Sequence, residues 1–152
     1  MFYLKLKTIF SHSIILNCQF KFMQLYQTNF LTINLHENFI ELIFTKESER
    51  AKAEDFKVWN NAIADMVEKH SPTCMLANCL NYFFTITPEL QEWSVENVFN
   101  RFEKAGLKRL AMLMSTAFIS QLSIEQFVEE ANTSLITRYY DNESLAKDWL
   151  LK

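Results

Sequence analysis

A chain of 152 residues, nearly half of them apolar and fourteen of them Phe, is long enough for one domain that buries a core without disulfides or metal, and its composition excludes a disordered chain. The formal charge of −3 comes with no cluster of Lys and Arg, which argues against the phosphate-neutralising surface that nucleic acid requires. Three cysteines, Cys18, Cys74 and Cys79, are odd in number and lack metal-ligand spacing, so neither a disulfide framework nor a zinc site is expected and a reducing cytoplasm fits best.

Residues 1–22 carry only Lys5, Lys7 and Lys21 as charges, which leaves −6 on the remainder once those three are taken from −3. The apolar stretch Ile9 to Leu16 is interrupted by Ser11, His12 and Ser13, has no small-x-small cleavage site after it, and is too short to span a bilayer. Three readings stay open: an upstream extension with Met23 as the biological start, an extra edge strand, or a signal peptide. Residues 23–152 are expected to form the domain, and an integral membrane protein is not expected.

From Phe30, Leu31, Ile33 and Leu35 alternate with Thr32, Asn34 and His36, the period-two pattern of a half-exposed strand. Glu37-Asn38 makes a turn, and Phe39 to Thr45 returns antiparallel. Glu47, Ser48, Glu49, Glu54 and Asp55 place capping and negative groups before a helix that ends with Lys69 and His70, with Phe56, Trp59, Ile63, Met66 and Val67 as its buried stripe. Ser71-Pro72 stops it, and Thr73 to Cys79 is the next strand, with Cys74 and Cys79 on opposite faces.

Leu80 to Phe84 is a loop rich in aromatics. Thr87-Pro88 then predicts an N-cap with proline at the first helical position, Leu90, Trp93, Val98, Phe99 and Phe102 the apolar side, and Gly106 a left-handed stop. The run Leu107 to Ser115 has five uncharged residues at its centre, Leu110 to Met114, and predicts a strand buried on both faces, with Met112 and Met114 in the core. Ser123 and Gln126 form a capping box for a helix with the stripe Ile124, Phe127, Val128 and Ala131. Leu135 to Tyr140 is the last strand, and Leu145, Ala146, Trp149 and Leu150 belong to a closing helix. The fold class is therefore α/β: a mixed sheet of about five strands that opens with an antiparallel hairpin, covered by four helices.

The segment from Leu135 to Leu150, a strand ending in Arg138-Tyr139-Tyr140-Asp141 followed by a helix closing on Ala146 and Trp149-Leu150, resembles the ending of the SpoIIAA-like group of the STAS/SEC14 superfamily. The order of elements from Phe30 onward is similar too. The resemblance implies a non-catalytic α/β module that binds a partner protein or a small hydrophobic ligand, without a cofactor, and leaves a homodimer open. In the anti-sigma antagonist branch a Ser in an Asp-Ser-Ser/Thr-Gly turn is phosphorylated. The equivalent turn here, Phe84-Thr85-Ile86-Thr87-Pro88, lacks the Asp, the Gly and the Ser, so that switch does not carry over. Asn78 stands where relatives often have Asp.

Candidate chemistry is sparse. Cys79 near a strand's carboxyl end would need a base to act as a nucleophile, and His12, His36 and His70 are the only histidines. A small buried residue is the simpler role for it. Glu89, Glu92 and Glu96 share a helix face and are expected to be solvated. The aromatic set Tyr82, Phe83 and Phe84 is either a flap over the core or an exposed patch for a partner or hydrophobic ligand. The partner- or ligand-facing surface is expected to comprise Asn78, Asn81, Tyr82, Phe83, Phe84, Thr85 and Thr87, with Ser115 and Thr116.

Overall fold

A computed structural model describes residues 22–119 and 134–152. It contains a six-stranded sheet in the order β1 (Met23–Gln27), β2 (Leu31–Leu35), β3 (Ile40–Phe44), β4 (Cys74–Asn78), β5 (Arg109–Leu113) and β6 (Ile136–Tyr140). β1, β2 and β3 pair antiparallel, and β3 through β6 are parallel. Four α-helical segments accompany them: α1 (Ala53–His70), α2 over residues 88–104, α3 (Thr116–Ile119) and α4 (Glu143–Leu150). The expected mixed α/β architecture is present, with one strand more than the sequence suggested. That strand is β1, whose Met-Gln-Leu-Tyr-Gln is mostly exposed and carries a bulge between Gln24 and Tyr26. A one-sided, irregular edge strand has little hydrophobic alternation to betray it.

β4 and β5 are inner strands without a polar face, because helices pack on both sides. On the first side α1 and α2 bury Phe56, Trp59, Ile63, Val67, Leu90, Val98 and Phe102 against Leu31, Ile33, Ile40, Leu42, Phe44, Met75, Ala77 and Leu110. Both helices lie there because β3-α1-β4 and β4-α2-β5 are successive parallel crossovers stepping the same way, and such crossovers share one hand. On the second side α4 sets Ala146 and Leu150 against Phe39, Cys74, Leu76 and Ala111. Cys74 and Cys79 therefore belong to opposite clusters, as expected, and both are free thiols.

Local signals account for most boundaries. A 3-10 turn, Lys46–Arg50, precedes α1, and the Asp55 carboxylate accepts a hydrogen bond from Lys52 N at 2.8 Å, so the negative groups read as one helix start belong to two elements. Ser71 adopts φ 47° to end α1, and Gly106 adopts φ 89° just after α2. Thr87 Oγ1 accepts from Leu90 N at the start of α2. α2 runs as Pro88–Ser94, a π-helical turn Val95–Phe99, and Asn100–Lys104. The wide turn stretches the buried stripe to Leu90, Ser94, Val98 and Phe102, leaving Trp93 half-buried and turning Phe99 outward, against the expectation that Phe99 packs inward. Leu145 is likewise exposed, not buried. The capping box at Ser123, the stripe Ile124 to Ala131, and residues 1–21 with Cys18 and His12 lie outside the described residues.

Candidate functional site

Because β3 to β6 run the same way, the segments that leave their carboxyl ends gather at one edge of the sheet, where open α/β sheets place their ligand sites. The segment after β4 carries most of the residues singled out in the sequence. Asn78 ends β4, and its Oδ1 accepts from Leu80 N at 3.3 Å, so its side chain is spent on turning its own loop. Cys79 N donates to Leu113 O at 2.9 Å, extending the β4–β5 ladder into the loop.

From there the aromatics alternate. Tyr82 turns in, its ring edge-on to Phe44 at 4.9 Å and to Trp59 at 6.3 Å. Phe84 also turns in, stacked on Phe56 at 5.3 Å and edge-on to Trp59 at 5.6 Å. Phe83 between them is 52% exposed, flanked in the loop by Leu80 at 46% and Ile86 at 38%. Tyr82 and Phe84 are thus the flap and Phe83 the patch; the two readings of the aromatic run apply to different residues. Thr85 and the Asn81 side chain are on the surface.

A residue assigned no such role in the sequence holds this loop in place. Ser48, fully buried in the 3-10 turn, has its hydroxyl 2.8 Å from Thr45 O and 3.3 Å from Asn81 O, and the same oxygen accepts from Phe83 N at 2.9 Å. Amid Lys46, Glu47, Glu49 and Arg50 the only signal was that one small uncharged residue stood in a run of charges.

Ser115 and Thr116 sit on the adjoining segment. Ser115 Oγ accepts from Phe118 N at 3.3 Å, and Thr116 Oγ1 donates to Asp141 Oδ2 at 3.0 Å, tying the end of β5 to the end of β6. Both hydroxyls are exposed, as is Phe118 nearby in sequence.

Among the described residues no nucleophile is assembled at this edge. Burial pushes the Cys79 thiol up to about 12 and raises the Tyr82 phenol as well. His36 and His70 line a cleft of about 320 Å³ at the opposite edge, with Phe39 and Thr73 at the start of β4, whereas Cys79 follows the end of β4. His36 Nε2 lies 2.8 Å from Glu41 Oε2. Glu89, Glu92 and Glu96 are exposed, with no ion pair among the described residues. Among those residues no group of three or more His, Cys, Asp or Glu could hold a metal, and no helix is long and apolar enough to cross a membrane.

Fold and edge define an α/β protein with a mixed six-stranded sheet whose parallel strands end beneath a pinned aromatic loop. No family model, curated protein or solved structure matches the chain.

Proposed function

We propose that the chain is a non-enzymatic, STAS-like regulatory module that acts in the cytoplasm by binding a partner protein at the carboxyl edge of its sheet. One observation carries this reading: a loop fixed by two core aromatics and a buried serine directs Leu80, Phe83 and Ile86 into solvent. Apolar groups on a mobile loop lose entropy on binding, but a loop already held in place presents them at little ordering cost. Exposed Asn81, Thr85, Ser115 and Thr116 supply a polar rim around the apolar centre, the usual anatomy of a transient interface. The likeness of residues 135–150 to the SpoIIAA-like group points the same way.

The rival reading, a carrier of a small hydrophobic ligand, requires apolar space beneath the loop. Tyr82, Phe84, Phe44, Phe56 and Trp59 stand ring against ring there. A photoreactive amino acid placed at Phe83 or Ile86, and for comparison at exposed Leu145 on α4, tests the proposal in native cell extract. The module reading expects one protein cross-linked through positions 83 and 86 and not through 145. Equal labelling at all three positions sinks it, and copurified lipid in a native mass spectrum would favour the carrier.

A further inference from the structure

From Ser71 to Asn100 the chain contains no Lys, Arg or His, and its only charges are Glu89, Glu92 and Glu96. The fold turns this sequence bias into a surface. Leu80, Phe83 and Ile86 are exposed on the loop, and the three glutamates, which form no ion pair among the described residues, are exposed on the helix that the loop runs into. The abutting 3-10 turn adds Lys46, Glu47, Glu49 and Arg50, which balance one another, with Arg50 3.5 Å from Glu47. Lys57 on α1 is engaged over the Trp93 ring at 5.9 Å and lies 3.9 Å from Glu54. Past the far end of the stretch Arg101 is held by Asp65 and Glu68 at 2.5 and 2.6 Å. The surface is thus apolar at its centre and negative along α2.

Resting on the interaction reading above, we infer that the partner is recognised through a basic amphipathic segment: an apolar anchor seated on Leu80, Phe83 and Ile86, with Lys or Arg reaching Glu89 and Glu92. Exposed carboxylates beside a docking patch steer cationic partners and reject acidic ones, so the charge sets specificity and the apolar residues supply the hold. A lipid surface is disfavoured by the same charges, since anionic headgroups would meet carboxylates.

The test uses the full chain, isotopically labelled, and two helical model peptides of matched length, one of leucine and lysine and one of leucine and glutamate. The lysine peptide is expected to shift backbone resonances of residues 80–92 and to bind at least about tenfold tighter than the glutamate peptide, with the preference shrinking as salt rises. Phe83→Ser is expected to weaken it about tenfold, the double change Glu89→Gln with Glu92→Gln about fivefold, and Val58→Ser on exposed α1 surface not at all. Each substitution is at an exposed side chain, and unchanged amide resonances outside residues 80–92 are the expected sign that the fold is intact. Equal affinity for the two peptides, shifts confined to other residues, or stronger shifts with phosphatidylglycerol vesicles than with the peptide would each overturn the inference. Its failure is separable from failure of the module reading: a partner cross-linked at Phe83 through an acidic segment refutes only the charge assignment, whereas no site-specific cross-link refutes the module itself.

Discussion

One hydroxyl separates a pinned loop from a free one. Ser48 Oγ satisfies Phe83 N and lies within reach of two carbonyls, Thr45 O and Asn81 O, in a place no water reaches. Ser48→Ala removes the acceptor of Phe83 N, and a buried unsatisfied donor costs about 1–3 kcal/mol. The expected outcome is a loss of that size in urea unfolding, together with faster amide exchange at residues 81–84 and little change in β5. Cys79 gives a second readout at the same scale. An unfolded thiol ionises near ~8.5, but burial holds the folded one to about 12, so above pH ~8.5 the unfolded state sheds its proton first. Stability should therefore fall as pH rises from there toward about 12, with Tyr82 adding in the same direction at the upper end. Cys79→Ala is expected to flatten the dependence of the urea midpoint between pH 8 and 10; an unchanged slope would refute the burial.

At the level of elements, small residues decide how closely α4 approaches the sheet. Ala111 on β5 and Ala146 on α4 are both fully buried in one cluster with Leu76 and Leu150, and α4 is further tied down by Arg109, which donates to Trp149 O at 3.2 Å. Ala111→Leu forces side chains into a filled space, for which overpacking costs about 1–3 kcal/mol, and it should loosen residues 143–150 ahead of the rest in hydrogen exchange. The elements most legible in the sequence were those with strong period or punctuation: the hairpin β2–β3, α1 with Ser71-Pro72 behind it, β5 with Gly106 before it, and the Thr87-Pro88 start of α2. What was not legible has identifiable physical causes. β1 is an edge strand with a bulge, and only the adjacent Leu25 and Tyr26 are even half-buried, which leaves no period-two alternation to read. The π turn in α2 adds one residue per turn only where Val95–Phe99 lie, so a regular 3.6 period placed Phe99 inside. At the candidate site the position of the loop followed from its place after a strand. The inward direction of Tyr82 and Phe84, and the part played by Ser48, depend on tertiary contacts that no local spacing encodes.

Across the whole molecule the two faces of the sheet are unlike. α1 and α2 cover the first over β2 to β5, while α4 serves the second over β4, β5 and β6. The β2–β3 part of the second face instead carries a polar cluster, contrary to the expectation that the Thr32, Asn34, His36 side of β2 is solvated: Asn34 is 5% and Glu41 9% exposed. Their register places Asn34 opposite Glu41, and the Asn34 amide donates to Glu41 Oε2 at 3.5 Å while His36 Nε2 lies 2.8 Å from the same oxygen. The His36 ring is stacked on Phe39 at 4.3 Å, which joins the cluster to the apolar patch under α4. Asn34 and His36 are the hydrogen-bond partners of the enclosed Glu41 side chain, so removing one member and replacing the group as a whole have different consequences. Glu41→Ala strips His36 and Asn34 of their acceptor and should cost about 1–3 kcal/mol, the scale of buried polar groups left unsatisfied. Changing His36→Phe, Asn34→Val and Glu41→Leu together removes the polar groups along with their need for partners and should restore stability to within about 1 kcal/mol of the parent, or exceed it. Urea unfolding of the two variants decides the matter. If the triple variant is as unstable as Glu41→Ala, the polar cluster contributes to the fold in its own right, and the second face is not simply an apolar surface interrupted by a satisfied charge.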